Sequence, residues 1–465
     1  MHRLYYQPEG SWFGDCMPFG KDGTFYLYHQ RDFRNPGPLP DCEPFGWDLT
    51  LTDDFVHYMD MGTAIPTGET DAQDQFVFAG SVFEGEGQYH AFYTGYNRDY
   101  SALGKASQVL MHATSQDLFH WKKSQDKLMI TPQPGYDPTD WRDPFVLWDE
   151  EDGQYLLILG ARKEGDKNQL TGRTVSFTSK DLKHWEFQGD FWAPGLFTMH
   201  EMPDLFRMGD WWYLITTEYS HSCKMIYRMS KSLKGPWVAP KDDAFDGRAY
   251  YAGRSFCQNG HRILFGWVPT RAYENDRSEF VWGGTYMAHE IYQRPDHTLG
   301  VKPPDTVWNA FTGRRRLDPC RLCGISSQTS TVLVRETSQH YSFEADLTFS
   351  QGTRNFGLQL YRDETSGRCY QYTFSVLENH FQFDKVPNWP WPAIANGGLK
   401  RPIFLQSGSI YHIRLIVDNT IATLYVNGVA LNARMYERPG SVLGISVNEG
   451  DVKLESMTFS NLIVK

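Results

Sequence analysis

The feature that most constrains this chain is a short signature that recurs four times in its first half. It consists of a small hydroxyl residue, any residue, Asp, an apolar residue, any residue, His and an aromatic ring. It reads Thr52-x-Asp54-Phe55-x-His57-Tyr58, Ser115-x-Asp117-Leu118-x-His120-Trp121 and Ser179-x-Asp181-Leu182-x-His184-Trp185, with a degraded copy running from Ser230-x-Ser232-Leu233 to Trp237. The copies begin 63, 64 and 51 residues apart. A hydroxyl two positions before Asp is turn chemistry, and the ring that follows anchors the turn to a sheet. One copy arises by chance; four in order are architecture.

A second unit is offset from the first. Each copy pairs a short apolar strand with an aromatic-rich one: Asp15–Phe19 with Phe25–Tyr28, Gly80–Phe83 with Tyr89–Tyr93, Asp143–Leu147 with Tyr155–Leu159, Glu201–Phe206 with Trp211–Ile215, and Ala252–Phe256 with Arg262–Phe265. Gly23, Gly87, Gly153, Gly209 and Gly260 stand in the turns, as hairpins require. Five such units with almost no amphipathic helical pattern between them predict an all-β fold, a five-bladed β-propeller over residues 1–305. From about Val332 the chain alternates apolar and polar residues in short runs and turns at Asn427-Gly428. That pattern predicts a β-sandwich over 330–465. Residues 306–329, with the basic run Arg314-Arg315-Arg316, read as a solvated connecting segment.

Composition removes several function classes. With 45 basic against 56 acidic residues, a nucleic-acid partner is not expected, because phosphate binding needs clustered Lys and Arg. The apolar runs Phe76–Phe83 and Tyr155–Leu159 fall far short of the ~20 residues of a spanning helix, so no membrane partner is expected. The segment Met1–Tyr6 lacks an apolar signal core, and the expected address is cytoplasmic. Seven scattered cysteines (16, 42, 223, 257, 320, 323 and 369) fit a reducing compartment. Cys320-x-x-Cys323 lacks the further ligands of a structural zinc. No phosphate loop, His-Glu-x-x-His or calcium loop occurs, so neither metal nor cofactor is expected. The 71 aromatic rings (15 Trp, 26 Tyr and 30 Phe) suit sheet surfaces and the apolar faces of sugars. For any one ring, including Trp192, Trp267 and Trp282, core packing is the ordinary use.

In a propeller the innermost strands surround the axis, so residues opening equivalent strands meet at one mouth. Three of the five strands open with an acid: Asp15, Asp143 and Glu201. Gathered carboxylates repel, which is unfavourable without a function. Glycosidic hydrolysis needs one carboxyl protonated and one ionised, and repulsion with unequal burial separates acids into those two states.

At these residues the chain resembles glycoside hydrolase family 32, the β-fructofuranosidases. Trp12-Phe13-Gly14-Asp15-Cys16-Met17-Pro18 is similar to the family's Trp-Met-Asn-Asp-Pro-Asn-Gly, and Arg142-Asp143-Pro144 to its Arg-Asp-Pro. His200-Glu201-Met202-Pro203-Asp204 resembles Trp-Glu-Cys-Pro-Asp, and Phe78-Ala79-Gly80-Ser81 resembles Phe-Ser-Gly-Ser. The resemblance implies a propeller followed by a sandwich. It also implies Asp15 as nucleophile, Glu201 as general acid/base and Asp143 as the grip on sugar hydroxyls, with Arg142 beside it. Gln30, Trp47, Phe78, Ser81 and His200 would surround a small glycoside or oligosaccharide, and the implied activity is retaining hydrolysis of terminal β-fructofuranosides. Two departures bear on substrate choice: Gly14 replaces an Asn that bonds the fructosyl ring, and Cys16 replaces Pro. Losing one placed polar group shifts specificity. An inverting arabinofuranosidase or xylosidase of the family 43 type, with Asp15 activating water, and a non-catalytic carbohydrate-binding propeller therefore stay open.

Overall fold

A computed structural model describes residues 1–34, 43–124, 129–219, 223–388 and 393–462; Cys42 lies outside them. Each of the three intact signatures folds into the same turn. The hydroxyls of Thr52, Ser115 and Ser179 accept the N–H of Phe55, Leu118 and Leu182 at 2.9 Å. One Asp oxygen accepts the N–H of His57, His120 or His184 at 2.8 Å, and the other meets that ring's Nδ1 at 2.7 Å. The apolar residue between them is left-handed, with φ of 60°, 69° and 61°. That conformation costs a residue bearing a β-carbon roughly 1–3 kcal/mol, offset here by the turn's bonds and a buried side chain. In the degraded copy Gly235, at φ 82°, makes the turn instead.

The turns Asp22-Gly23, Glu86-Gly87 and Asn259-Gly260 have positive φ at both residues, the geometry whose twist matches the flanking strands. The strands they join assemble as five blades. Blade one is Trp12–Lys21, Thr24–Asp32, Trp47–Thr52 and Met59–Ile65; blade two is Phe76–Gly85, Gln88–Tyr96, Gln108–Ser115 and Trp121–Lys123. Blade three is Tyr136–Asp149, Gln154–Lys163, Gly172–Ser179 and Glu186–Trp192. Blade four is Met199–Met208, Trp211–Tyr219 and Met225–Ser230, extended by a bridge from Met229 to Val238. Blade five is Tyr251–Gln258, His261–Arg271, Phe280–Gln293 and Leu299–Lys302. Its third strand pairs with blade one at Phe13 and Gly284, so that blades one and five share a sheet and the ring is closed.

After a short helix, Asp305–Asn309, the strands Phe311–Arg316 and Cys320–Val334 both pair with Val442–Leu462. The connecting segment expected at 306–329 is thus largely sheet. Its basic run lies on a strand whose residues after Phe311 are exposed, where charge discourages further pairing; charge alone does not distinguish that role from a linker. The 21-residue strand Val442–Leu462 pairs with Asn355–Arg362 through its first part and His340–Phe349 through its second. It bends at Glu449-Gly450, where φ is 52° and 149°, and so serves both layers of the sandwich. Phe343, Phe356, Phe374, Phe381, Phe383 and Phe459 fill the space between. Among the described residues no helix is long and apolar enough to cross a membrane.

Propeller and sandwich meet through buried polar groups. Asp246 accepts the N–H and the side-chain amide of Asn432, both at 2.7 Å, and lies 3.1 Å from His289, which also meets Tyr425. The N-terminal segment is anchored by the fully buried Asp418, which accepts the N–H of Arg3, Leu4 and Tyr5 at 3.0–3.2 Å and contacts His340 Nδ1 at 2.6 Å. Burial alone raises that carboxyl, but bonds from His2, His340 and the Tyr5 N–H outweigh it and hold it below the usual carboxylate range. The resulting stabilisation is complete above the unfolded value of about 3.9 and is lost as pH falls through the native one. Asp418→Asn is expected to cost about 3 kcal/mol at pH 7, with the gap to the parent closing in acid; urea unfolding at pH 7 and pH 3 checks both.

Candidate active site

The innermost strand of every blade is broken at one height. Regular pairing runs to Phe13 opposite Arg31, Phe78 opposite Thr94, Arg142 opposite Gly160, Glu201 opposite Thr217 and Tyr251 opposite Trp267. Beyond that pair the register shifts. Gly14-Asp15, Asp143-Pro144, Met202-Pro203 and Ala252-Gly253 each set two residues against one, and Ala79 is the extra residue in blade two. Such bulges bend the strand and re-aim side chains, and they tolerate Pro because the ladder bond is already lost. Asp143, Met202 and Ala252 take φ of 63°, 50° and 53° there. The three acids occupy successive positions of this shared device: Glu201 is the last paired residue, Asp143 the first bulged one and Asp15 the second. They lie within the innermost strands rather than opening them as the sequence pattern predicts, since the strands begin earlier at Trp12, Tyr136 and Met199; what they share is the bulge, staggered by one residue each.

All three line a cavity of about 650 Å³. Blades five, one and two contribute a row of stacked rings to it: Trp282 on Phe45 (5.6 Å between centroids), Phe45 on Phe78 (5.8 Å) and Phe78 on Tyr96 (4.6 Å), with planes within 16–21°. Thr139, Asp140 and Arg142 from blade three and Glu201 from blade four supply polar lining. The cavity thus has an aromatic arc and a charged one.

The acids differ in their partners. Arg142 donates to Glu201 Oε1 at 2.6 Å and to Asp140 at 2.8 Å, and Tyr251 donates its hydroxyl to Glu201 Oε2. Burial, then the Glu201 charge, pushes the Tyr251 phenol far up, so it remains a donor. Asp15 accepts one bond, from the Trp267 indole at 3.2 Å. Burial first, then Asp143 and Glu201, push it well above the usual carboxylate range. Asp143 accepts the Met202 N–H at 3.0 Å from the neighbouring bulge; burial raises it, Arg142 opposes that rise and Glu201 adds to it.

The N-terminal domain model of glycosyl hydrolases family 32 matches residues 5–291, and the family's C-terminal domain model matches residues 322–461. The chain belongs to glycoside hydrolase family 32. Sucrose-6-phosphate hydrolase of Escherichia coli is 23% identical over 471 residues, spanning 93% of this chain and 87% of that protein. Levanase of Bacillus subtilis (strain 168) is 23% identical, spanning 99% and 70%. The structure of fructan 1-exohydrolase IIa from Cichorium intybus has the same fold, with a TM-score of 0.80 at 16% identity over 99% and 97% of the two chains. As a family 32 member the chain is a glycosidase.

Of the residues that the family motifs implicate, Asp15, Gln30, Phe78, Arg142, Asp143 and Glu201 line the cavity. Trp47, Ser81 and His200 do not, and each has another task. Trp47 is fully buried and donates its indole N–H to the Phe78 carbonyl at 3.0 Å, supporting a lining residue from behind. Ser81 accepts the Val146 N–H at 3.2 Å and ties blade two to blade three. His200 precedes Glu201, so strand alternation sends it to the opposite face. There it packs against Trp192 and Phe197 beside Thr174, and burial pushes it down to about 3. Trp267 and Trp282 reach the cavity, whereas Trp192 does not. The sequence pattern begins the fifth hairpin at Ala252, whereas its first strand begins at Tyr251, so the pattern leaves Tyr251 out. Alignment by the bulge puts Tyr251 level with Arg142 and Glu201.

Gly14 has a steric reason. A β-carbon there would lie 2.6–2.7 Å from the outer ring atoms of Trp282 and 3.0 Å from Gln30 Cβ. Gly14→Ala is expected to displace Trp282 and lower kcat/KM at least about tenfold, since small misplacements beside the chemistry are costly. Loss of stability should stay within about 1–3 kcal/mol; steady-state kinetics and urea unfolding measure the two.

Asp15 yields a prediction of opposite sign to Asp418. Its raised native value means that, between the unfolded and native values, the folded chain binds more protons, so stability falls as pH rises through that window. Asp15→Asn should therefore raise the melting temperature at pH 8 relative to the parent, with the gain shrinking toward pH 4; calorimetry at both pH values checks this.

Proposed function

We propose that this chain is a retaining exo-hydrolase of terminal β-fructofuranosides, acting on sucrose, fructo-oligosaccharides or fructan. The observation that carries the reading is the staggered acid triplet, in which Arg142 and Tyr251 clamp Glu201 while Asp15 stands half-buried on the cavity wall with, among the described residues, the Trp267 indole as its donor. The charges of Asp143 and Glu201 both push the Asp15 carboxyl up, and the reaction needs one carboxyl protonated and one ionised. The productive form has the proton on Glu201 and the negative charge on Asp15. Asp15 then attacks the anomeric carbon as Glu201 gives its proton to the departing oxygen, leaving a glycosyl ester on Asp15. Glu201, now a carboxylate, takes a proton from water, whose oxygen displaces Asp15 and restores both groups. Asp143, fixed by the Met202 N–H, is placed to accept bonds from sugar hydroxyls, which strengthen as the ring flattens toward the oxocarbenium ion. The relatives named above act on sucrose-6-phosphate and levan, which supports a fructosyl substrate. The scattered cysteines support a reducing, cytoplasmic setting.

The inverting reading draws on Gly14, the position where the fructosyl-binding Asn of the family motif is missing. Product stereochemistry separates the two. Retention needs the Asp15 and Glu201 carboxyls roughly 5–5.5 Å apart, whereas inversion needs roughly 6.5–9.5 Å. Wild-type protein should be screened on sucrose, fructo-oligosaccharides, levan and aryl arabinofuranosides, with NMR following the first-formed anomer. The expected result is fructoside turnover with retained configuration. An inverted first product would make Asp15 a general base. Glu201→Gln should lower kcat roughly 10²–10⁴-fold and Asp15→Asn at least as much, both with the fold intact.

A further inference from the structure

Arg254 lies just past the bulge of blade five, opposite Phe265, and is 1% exposed. It does not line the cavity. Its guanidinium donates from Nη1 to the Pro203 carbonyl at 2.7 Å and from Nη2 to the carbonyls of Asp143 at 2.8 Å and Pro144 at 3.3 Å. Those carbonyls belong to the two bulges that hold Asp143 and follow Glu201. One side chain thus reaches from blade five to blades four and three and fastens the backbone beneath both acids.

The titratable groups around Arg254 come from three other inner strands: Asp15 and the neutral thiol of Cys16 on blade one, Asp143 on blade three and Asp204 on blade four. Arg262, on the next strand of blade five, also faces Asp204, which accepts the Ser255 N–H at 2.6 Å. Around Asp15 itself stand Asp143, Glu201, Arg142 and the Trp267 indole. Burial pulls the Arg254 guanidinium down to about 10, which leaves it charged at neutral pH. A buried cation is costly unless it is compensated. Main-chain carbonyls compensate Nη1 and Nη2, Nε has no partner among the described residues, and the neighbouring carboxylates act on the guanidinium through their charge, so it in turn favours their ionised forms.

We propose that Arg254 is a positioning residue for the hydrolysis: it locks the Asp143 and Glu201 bulges together from inside the ring and adds a second positive charge, behind that of Arg142, to the surroundings of Asp143 and Asp15. This rests on the assignment of Asp15 as nucleophile and Glu201 as acid/base.

The test measures kcat and KM against pH for Arg254→Lys, Arg254→Gln and Arg254→Met, on a fructoside that the parent hydrolyses, with circular dichroism and melting recorded for each. The acidic limb of kcat/KM reports the group that must be ionised in the free enzyme. The two neutral variants should move that limb to higher pH by about one unit. Lys keeps the charge but loses the two-pronged fork: its limb should stay at the parental pH while kcat falls about tenfold with KM within about twofold. A folded Gln or Met variant with the parental limb overturns the proposal. If neither neutral variant folds, the Lys variant decides, and parental kcat in it overturns the proposal equally. Asp15→Asn and Glu201→Gln are run alongside. Turnover surviving in those variants refutes the underlying assignment, whereas their inactivity beside unaltered Arg254 variants refutes only the role of Arg254.

Discussion

Each blade of this propeller gives up regular pairing in its innermost strand at one height, and the active site exists because of that loss. A regular antiparallel ladder sends alternate side chains to opposite faces and offers the axis one position per strand. A bulge adds a residue and bends the strand, so successive residues can turn toward the same cavity. Blade four uses the residue before its bulge (Glu201), blade three the first bulged residue (Asp143) and blade one the second (Asp15). The stagger brings acids from three blades, each at a different position of the bulge, to the lining of one cavity. The backbone groups freed by the bulges are used in turn: Asp143 takes the Met202 N–H, and Arg254 takes the carbonyls of Asp143, Pro144 and Pro203.

Much of this was legible in the sequence because turns are local. The Ser/Thr-x-Asp signature bonds to its own backbone within three residues, and the hairpin glycines hold left-handed positions that side chains rarely adopt, so both mark the blade period directly. The family resemblance in Trp12–Pro18, Arg142–Pro144 and His200–Asp204 then pointed to the three acids. Side chains whose role depends on the far side of the ring were not legible. Tyr251 bonds Glu201 across 50 positions and Arg254 bonds Asp143 across 111, and no local pattern announces either. His200 shows the converse: adjacency to Glu201 made it a candidate, yet alternation along the strand turns it away from the cavity. The basic run at 314–316 resembles a linker because an exposed edge strand and a solvated loop place the same demand on side chains.

Asp15 is half-buried on the cavity wall and Asp418 fully buried, and they shift in opposite directions because their partners differ. Asp418 meets three backbone N–H groups and the rings of two histidines, which outweighs the cost of burial and makes it an anchor. Asp15 has one indole donor and two acidic neighbours, so burial goes uncompensated. A nucleophile surrounded by donors as Asp418 is would be stable and inert, its charge already satisfied. An under-solvated one stores free energy that bond formation to the anomeric carbon releases, and the fold bears that cost at all times.

The closure of the ring brings the same economy to substrate recognition. Blade five returns to blade one at Phe13 and Gly284, and this pairing sets Trp282 over Gly14, beside Asp15. Arg34 reinforces the contact by donating to the carbonyls of Trp282 and Gly283 at 2.9 Å while its guanidinium covers Trp12. One wall of the cavity is therefore made by the strand that completes the propeller, and the glycine that permits it sits next to Asp15. A side chain at position 14 would have to move either the ring or the closure. Conversely, an aromatic edge stands where the related motif carries a hydrogen-bonding amide, and it offers C–H surface in place of a polar partner. In the proposed fructoside reading, affinity at that point comes from the apolar face of the sugar and from Asp143 and Gln30, so that Trp282 couples substrate preference to ring closure.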